Sequence, residues 1–116
     1  MSTLTHVPLP AFGQAEECPP LPAALYAGRL AAARARMAED GLDALVVYGD
    51  REHFANLAYL TGFDPRFEEA LLLLDRDGAG KLLVGNECMG YLPDAALGLD
   101  VELFQEFSLL GQPRAQ

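Results

Sequence analysis

The stretch Phe63-Asp64-Pro65-Arg66-Phe67-Glu68-Glu69 sets one guanidinium among three carboxylates within a single short segment. An arginine fork holds a carboxylate through two parallel N–H···O bonds, so Arg66 suits a substrate with a free carboxylate, such as a peptide or a guanidino acid. The same residues fit a plainer arrangement equally well, in which Arg66 pairs with Asp64, Glu68 or Glu69 at the surface. Glu68 and Glu69 could serve as general acid and base only if both faced one cleft. Adjacent strand residues point to opposite faces, so this pair reads better as a solvated edge.

The remaining reactive side chains are sparse. His53 has no second His nearby and no Cys in helical register, so the expectation is a partly exposed helix histidine and not a metal ligand. Cys88, beside Met89, is expected to pack as a small apolar group. Asp75-Arg76-Asp77-Gly78-Ala79-Gly80 resembles the start of a calcium loop. Ala79 stands where a fifth-position ligand belongs, and Asn86 where a bidentate Glu is needed. Gly78-Ala79-Gly80-Lys81 lacks both the earlier glycine and the following Ser or Thr of a phosphate loop. The turn after Tyr48-Gly49 offers one glycine, too little for a dinucleotide site. No Ser, Cys or carboxylate has an evident activating partner. The chain therefore lacks a complete active site of its own.

Charge and composition narrow the partners. The net charge is −9, from 17 acids against 8 bases, and no Lys/Arg cluster occurs. Nucleic acid and anionic membranes want a basic face, so neither is an expected partner. The longest strictly apolar run, Ala70 to Leu74, is far too short to span a bilayer. The first basic residue is Arg29, so the N-terminus does not read as a signal peptide. Cys18 and Cys88 are too few for a disulfide framework, and the expectation is two free thiols in a reducing cytoplasm.

The elements that would hold the Arg66 segment follow from periodicity. Residues 1–22 carry five of the eight prolines and read as an extended arm, with Val7, Leu9 and Phe12 available to lie on a body. Residues 23–116 read as one domain. Tyr26, Leu30, Ala33 and Met37 form an apolar stripe on a helix that starts after Pro22 and stops at Gly41. A strand over 43–49 follows, then a helix over 51–62 closed by Gly62. Apolar runs over 69–75 and 81–86 flank a Gly-containing turn and predict an antiparallel hairpin. A weaker helix over 88–98 and a strand over 100–107 complete the order. The pattern predicts an α/β fold: a mixed sheet with one antiparallel hairpin, parallel crossovers and flanking helices. Near-continuous apolar strands imply helices on both faces.

From about Tyr26 to Phe104, the order of elements and three segments resemble the N-terminal domain of the creatinase, prolidase and aminopeptidase P family. The segments are Arg29 to Gly49, Asn56-Leu-Ala-Tyr-Leu-Thr-Gly-Phe63, and Glu69 to Gly85. The resemblance implies a non-catalytic domain of a two-domain Xaa-Pro peptidase-type metallohydrolase. It implies a pita-bread catalytic domain, absent from this chain, holding two manganese, cobalt or zinc ions with two Asp, one His and two Glu. It carries over no metal ligand and no catalytic residue to this sequence. Its implied partners are that C-terminal catalytic domain and a second subunit, in a homodimer or higher homo-oligomer. In dimeric members the loop after the Thr-Gly-Phe turn reaches a neighbouring active site, and Phe63 and Arg66 are the matching pocket-wall residues. A creatinase-like amidinohydrolase domain and a free-standing binding or dimerisation module are the alternatives.

Overall fold

The computed structural model describes residues 2–13, 21–78, 80–93 and 98–111. Helix α1, Ala23–Asp40, begins where Pro22 leaves an extended backbone, and buries Tyr26, Leu30 and Met37 along the expected stripe. It stops where Gly41 adopts φ 70°, and the Leu42 N–H donates back to the Met37 carbonyl at 2.8 Å. Two of the arginines off the stripe are straps, while Arg36 bonds Glu39 and Asp40 of its own helix. Arg29 donates to the Tyr59 carbonyl at 2.8 Å and lies over the Tyr59 ring. Arg34 donates to the carbonyls of Asp75 and Gly78.

Strand β1 (Ala44–Gly49), helix α2 (Ala55–Thr61), strands β2 (Ala70–Asp75) and β3 (Gly80–Val84), a 3₁₀ turn at Glu87–Gly90 and strand β4 (Asp100–Leu103) follow in order. The four strands form one mixed sheet in the order β1-β2-β3-β4. β2 and β3 are the expected hairpin, with Leu72 opposite Leu82, and β3 runs parallel to β4. β1 and β2 also pair antiparallel, Val47 opposite Leu72, although α2 lies between them in the chain. The expectation of parallel crossovers therefore holds for one pair only. A helix no longer than two turns, followed by a loop, lets the chain return alongside β1 without crossing the sheet.

The expectation of helices on both faces is corrected. Leu72, Leu74, Leu82 and Val84 are buried, while their neighbours Leu71, Leu73, Lys81 and Leu83 are half-buried. That alternation marks a sheet with one covered face. Leu30 and Met37 of α1 and Leu57 and Leu60 of α2 join the buried strand residues in one core. Leucines at successive positions hide this from the sequence, because the pattern is apolar on both faces while only one is packed.

Other boundaries shift. The strand expected over 100–107 ends at Leu103 and gives way to a 3₁₀ turn at Gln105–Phe107. The helix expected over 88–98 is the 3₁₀ turn at Glu87–Gly90, and residues 94–97 of that expectation lie outside the described residues. Cys18, Ala79 and residues 112–116 also lie outside them.

Candidate functional site

The loop between α2 and β2 is held from beneath by an unusual density of local bonds. Thr61 Oγ1 donates to the Leu57 carbonyl at 2.7 Å and accepts the Phe63 N–H at 3.1 Å. Gly62 closes α2 at φ 72°, and a Cβ there would come within 3.0 Å of the Tyr26 ring. The close approach and the left-handed backbone both demand glycine. This turn drives Phe63 inward, where it is 1% exposed and lies 5.9 Å from the Tyr91 ring centroid.

Pro65 is buried as well, and its carbonyl is the hub of the loop. It accepts the Tyr91 hydroxyl at 2.9 Å, the Glu68 N–H at 3.1 Å and the Cys88 thiol at 3.4 Å. The next residue, Arg66, is the one non-glycine with positive φ among the described residues, at 60°. A left-handed L-residue costs about 1–2 kcal/mol and persists where its surroundings over-determine it. Here the Asp64 carboxylate accepts the Arg66 N–H at 2.8 Å. The same backbone twist turns Arg66 and Phe67 outward.

Glu68 is the residue that the sequence misplaces. It is 3% exposed and not a solvated edge. Its carboxylate accepts the backbone N–H groups of Cys88 at 3.0 Å, Glu87 at 3.2 Å and Leu109 at 3.3 Å. A Cβ at Gly85 would overlap that carboxylate, so the glycine leaves room for it. Three donors from two segments offset the burial of one charge. Glu69 is exposed, so the two acids do face opposite ways. No periodicity signal marks Glu68. The available cue was an acid immediately before a buried strand, which most often is a surface residue.

The Cys88 thiol and the Tyr91 hydroxyl stay neutral. Burial pushes the Cys88 thiol up to about 12, with the Glu68 carboxylate adding to the effect against a bond from Tyr91. Burial likewise raises the Tyr91 hydroxyl, which contacts Cys88 Sγ at 3.1 Å. Cys88 packs as expected, with 0% exposure. Neither group is a nucleophile at neutral pH.

On the outer side, Arg66, Phe67, Glu87 and Tyr91 line an open cleft of about 450 Å³. Phe67 also borders a second hollow of about 240 Å³ with Glu69 and residues 105–111. Phe67 is 49% exposed, so the outward aromatic of this loop is Phe67 and the inward one is Phe63. Among the described residues no carboxylate lies within ion-pair distance of the Arg66 guanidinium. Among the described residues the site therefore presents a guanidinium without a carboxylate partner beside an aromatic face, a combination that suits an anionic ligand with an apolar body.

His53 precedes α2 and is exposed, with Nδ1 3.2 Å from Asp50 Oδ1. No group of three or more His, Cys, Asp or Glu residues is placed to hold a metal ion among the described residues. Two metal ions thus find no fitting ligand set there. No helix among them is long and apolar enough to cross a membrane.

Comparison with known proteins follows the same lines. The family model for the Creatinase/Prolidase N-terminal domain matches residues 29–106. The crystal structure of the dipeptidase PepE from Mycobacterium ulcerans superposes at a TM-score of 0.60 and is 30% identical, over 72% of this chain and 23% of that one. The chain thus spans about a quarter of that dipeptidase. The N-terminal creatinase/prolidase-like domain of a protein from Corynebacterium diphtheriae, itself proposed to be a metallopeptidase, superposes at 0.54. It is 19% identical over 69% of this chain and 60% of that one, and supports the fold alone. No curated protein matches the chain.

Proposed function

This chain belongs to the creatinase/prolidase N-terminal domain family, and on that premise we propose that it is the non-catalytic N-terminal domain of an Xaa-Pro peptidase-type metallohydrolase. In this reading the divalent metal ions and their ligands belong to a C-terminal catalytic domain. The N-terminal domain contributes to assembly and forms one wall of a substrate pocket, in a cytoplasmic homo-oligomer. The observation that carries it is the loop at Arg66. A strained backbone, clamped from below by Pro65, Asp64 and Glu68, holds outward an aromatic ring and a guanidinium that no carboxylate among the described residues pairs. Such rigidity is unnecessary for a solvated surface turn and useful for a docking element. The similarity to a dipeptidase favours a peptide carboxylate as the group that Arg66 receives.

The pocket-wall assignment that the family resemblance suggested for Phe63 and Arg66 becomes Arg66 with Phe67. Phe63 acts beneath them as the core anchor of the loop. The test is made in the whole protein with a Xaa-Pro dipeptide as substrate. Arg66→Ala should lower kcat/KM about tenfold to hundredfold, the equivalent of one charge-assisted hydrogen bond. Arg66→Lys should recover part of the loss, because an ammonium keeps the charge without the fork. Hydrolysis of creatine in place of the dipeptide would favour the amidinohydrolase reading. Unchanged kinetics for Arg66→Ala would return this loop to a structural role.

A further inference from the structure

Two apolar surfaces stand uncovered among the described residues, and their backbones are complementary. The first is the free edge of β1, whose single sheet neighbour is β2. Its residues, Ala44 to Gly49, contain no Lys and no Pro, the usual devices that keep an edge from pairing. Beside it runs a groove of about 420 Å³ lined by Leu45, Val46, Val47, Tyr48, Tyr59 and Leu60, together with Asn56.

The second surface is the N-terminal arm. Val7, Leu9 and Phe12 are 74%, 92% and 92% exposed, so these side chains pack on nothing among the described residues. Its residues 2–13 form no helix or strand. Pro8 and Pro10 alternate with Val7, Leu9 and Ala11. In an extended chain, residues two apart direct their N–H and C=O groups to the same side. The prolines therefore strip the donors from one side, while Val7, Leu9 and Ala11 keep a complete set on the other. A strand of this kind accepts one neighbour and refuses a second, which suits it to finish a sheet edge.

We propose that the arm of one copy of this chain docks on β1 of a second copy as a fifth, terminal strand. Val7, Leu9 and Ala11 pair with the β1 backbone, and the side chains of that row enter the groove over Tyr59 and Leu60. Charge selects this occupant over β1 pairing with itself. Asp43 and Asp50 bracket β1, and antiparallel self-pairing would bring these like charges together. Residues 2–13 contain no acid at all. Reciprocal exchange of two arms closes a symmetric dimer. This interface is independent of the Arg66 cleft and stands or falls without it.

Sedimentation of the whole chain over a concentration series tests the exchange. The chain should pass from 12.5 kDa toward twice that mass. Deletion of residues 2–13, or Val7→Asp with Leu9→Asp, should leave the monomer at every concentration with an unchanged far-UV spectrum, since these side chains are exposed. A synthetic peptide of residues 2–13 should bind the arm-deleted chain and shift amide resonances of β1 and α2. Leu9→Asp in that peptide should weaken binding at least about tenfold. Dimerisation of the arm-deleted chain, or a monomeric whole chain throughout, overturns the proposal. So does arm protection from hydrogen exchange that is independent of concentration, which would mean docking on its own chain.

Discussion

The Glu68 carboxylate accepts the Cys88 N–H at 3.0 Å across 20 positions of sequence, and it ties the outward loop to the turn that follows β3. Through Leu109 the same carboxylate also fixes the segment after β4. One side chain thereby sets the floor beneath Arg66 and Phe67.

Removing it should cost more than an ordinary surface change. Glu68→Ala leaves three backbone donors without their acceptor, and should destabilise the chain by about 3 kcal/mol or more. Glu68→Gln keeps one acceptor oxygen and should cost less. Denaturant midpoints give the stability, and hydrogen exchange at Glu87, Cys88 and Leu109 should accelerate together in Glu68→Ala. Acceleration spread evenly over the sheet would mean that Glu68 is not the local clamp.

Strain at Arg66 separates stability from function. Arg66→Gly relieves the left-handed penalty and loses some unfolded-state entropy advantage, a net gain of about 0.5 kcal/mol. Arg66→Ala keeps the penalty and should be neutral or slightly worse. A rise in thermal midpoint for glycine alone, with activity lost in both, assigns the backbone and the guanidinium their separate roles.

The one-sided sheet predicts a contrast between two neighbouring strands. Leu72 is 0% exposed at the centre of the covered face, so Leu72→Ala should cost about 2–5 kcal/mol. Val46 is 56% exposed on the open face, and Val46→Ala should cost less than about 1 kcal/mol at concentrations where the chain is monomeric. Equal costs would mean that both faces are covered.

Alkaline pH should weaken the fold through Cys88. Its thiol is pushed up to about 12 in the folded chain, whereas an unfolded cysteine titrates near about 8.5. Between those values the unfolded state binds fewer protons, so stability is complete below the unfolded value and falls as pH rises toward the folded one. One such proton contributes a slope of up to about 1.4 kcal/mol per pH unit. Tyr91 shifts in the same direction and steepens the upper part of the window. Cys88→Ala should flatten the slope most between pH 9 and 10, roughly below the range where the raised Tyr48 and Tyr91 hydroxyls contribute fully. The native thiol should also resist alkylation at pH 8, where roughly a quarter of unfolded cysteine is ionised.

The sequence by itself determined what is local. The Tyr26–Leu30–Met37 stripe, the stops at Gly41 and Gly62, and the β2–β3 hairpin follow from periodicity and from backbone preferences that act within a few residues. The family resemblance likewise rested on contiguous segments. The tertiary structure decided everything that depends on which distant groups meet. It buried Phe63 against Tyr91 and turned Phe67 out, because the hub at the Pro65 carbonyl forms only when the turn at Glu87–Gly90 packs beneath it. It made Glu68 a buried clamp because donors from Cys88 and Leu109 converge there, and no pattern along the chain announces that convergence. It left one sheet face open because consecutive leucines say that a strand is apolar, while the side on which helices pack is set by the chain's path.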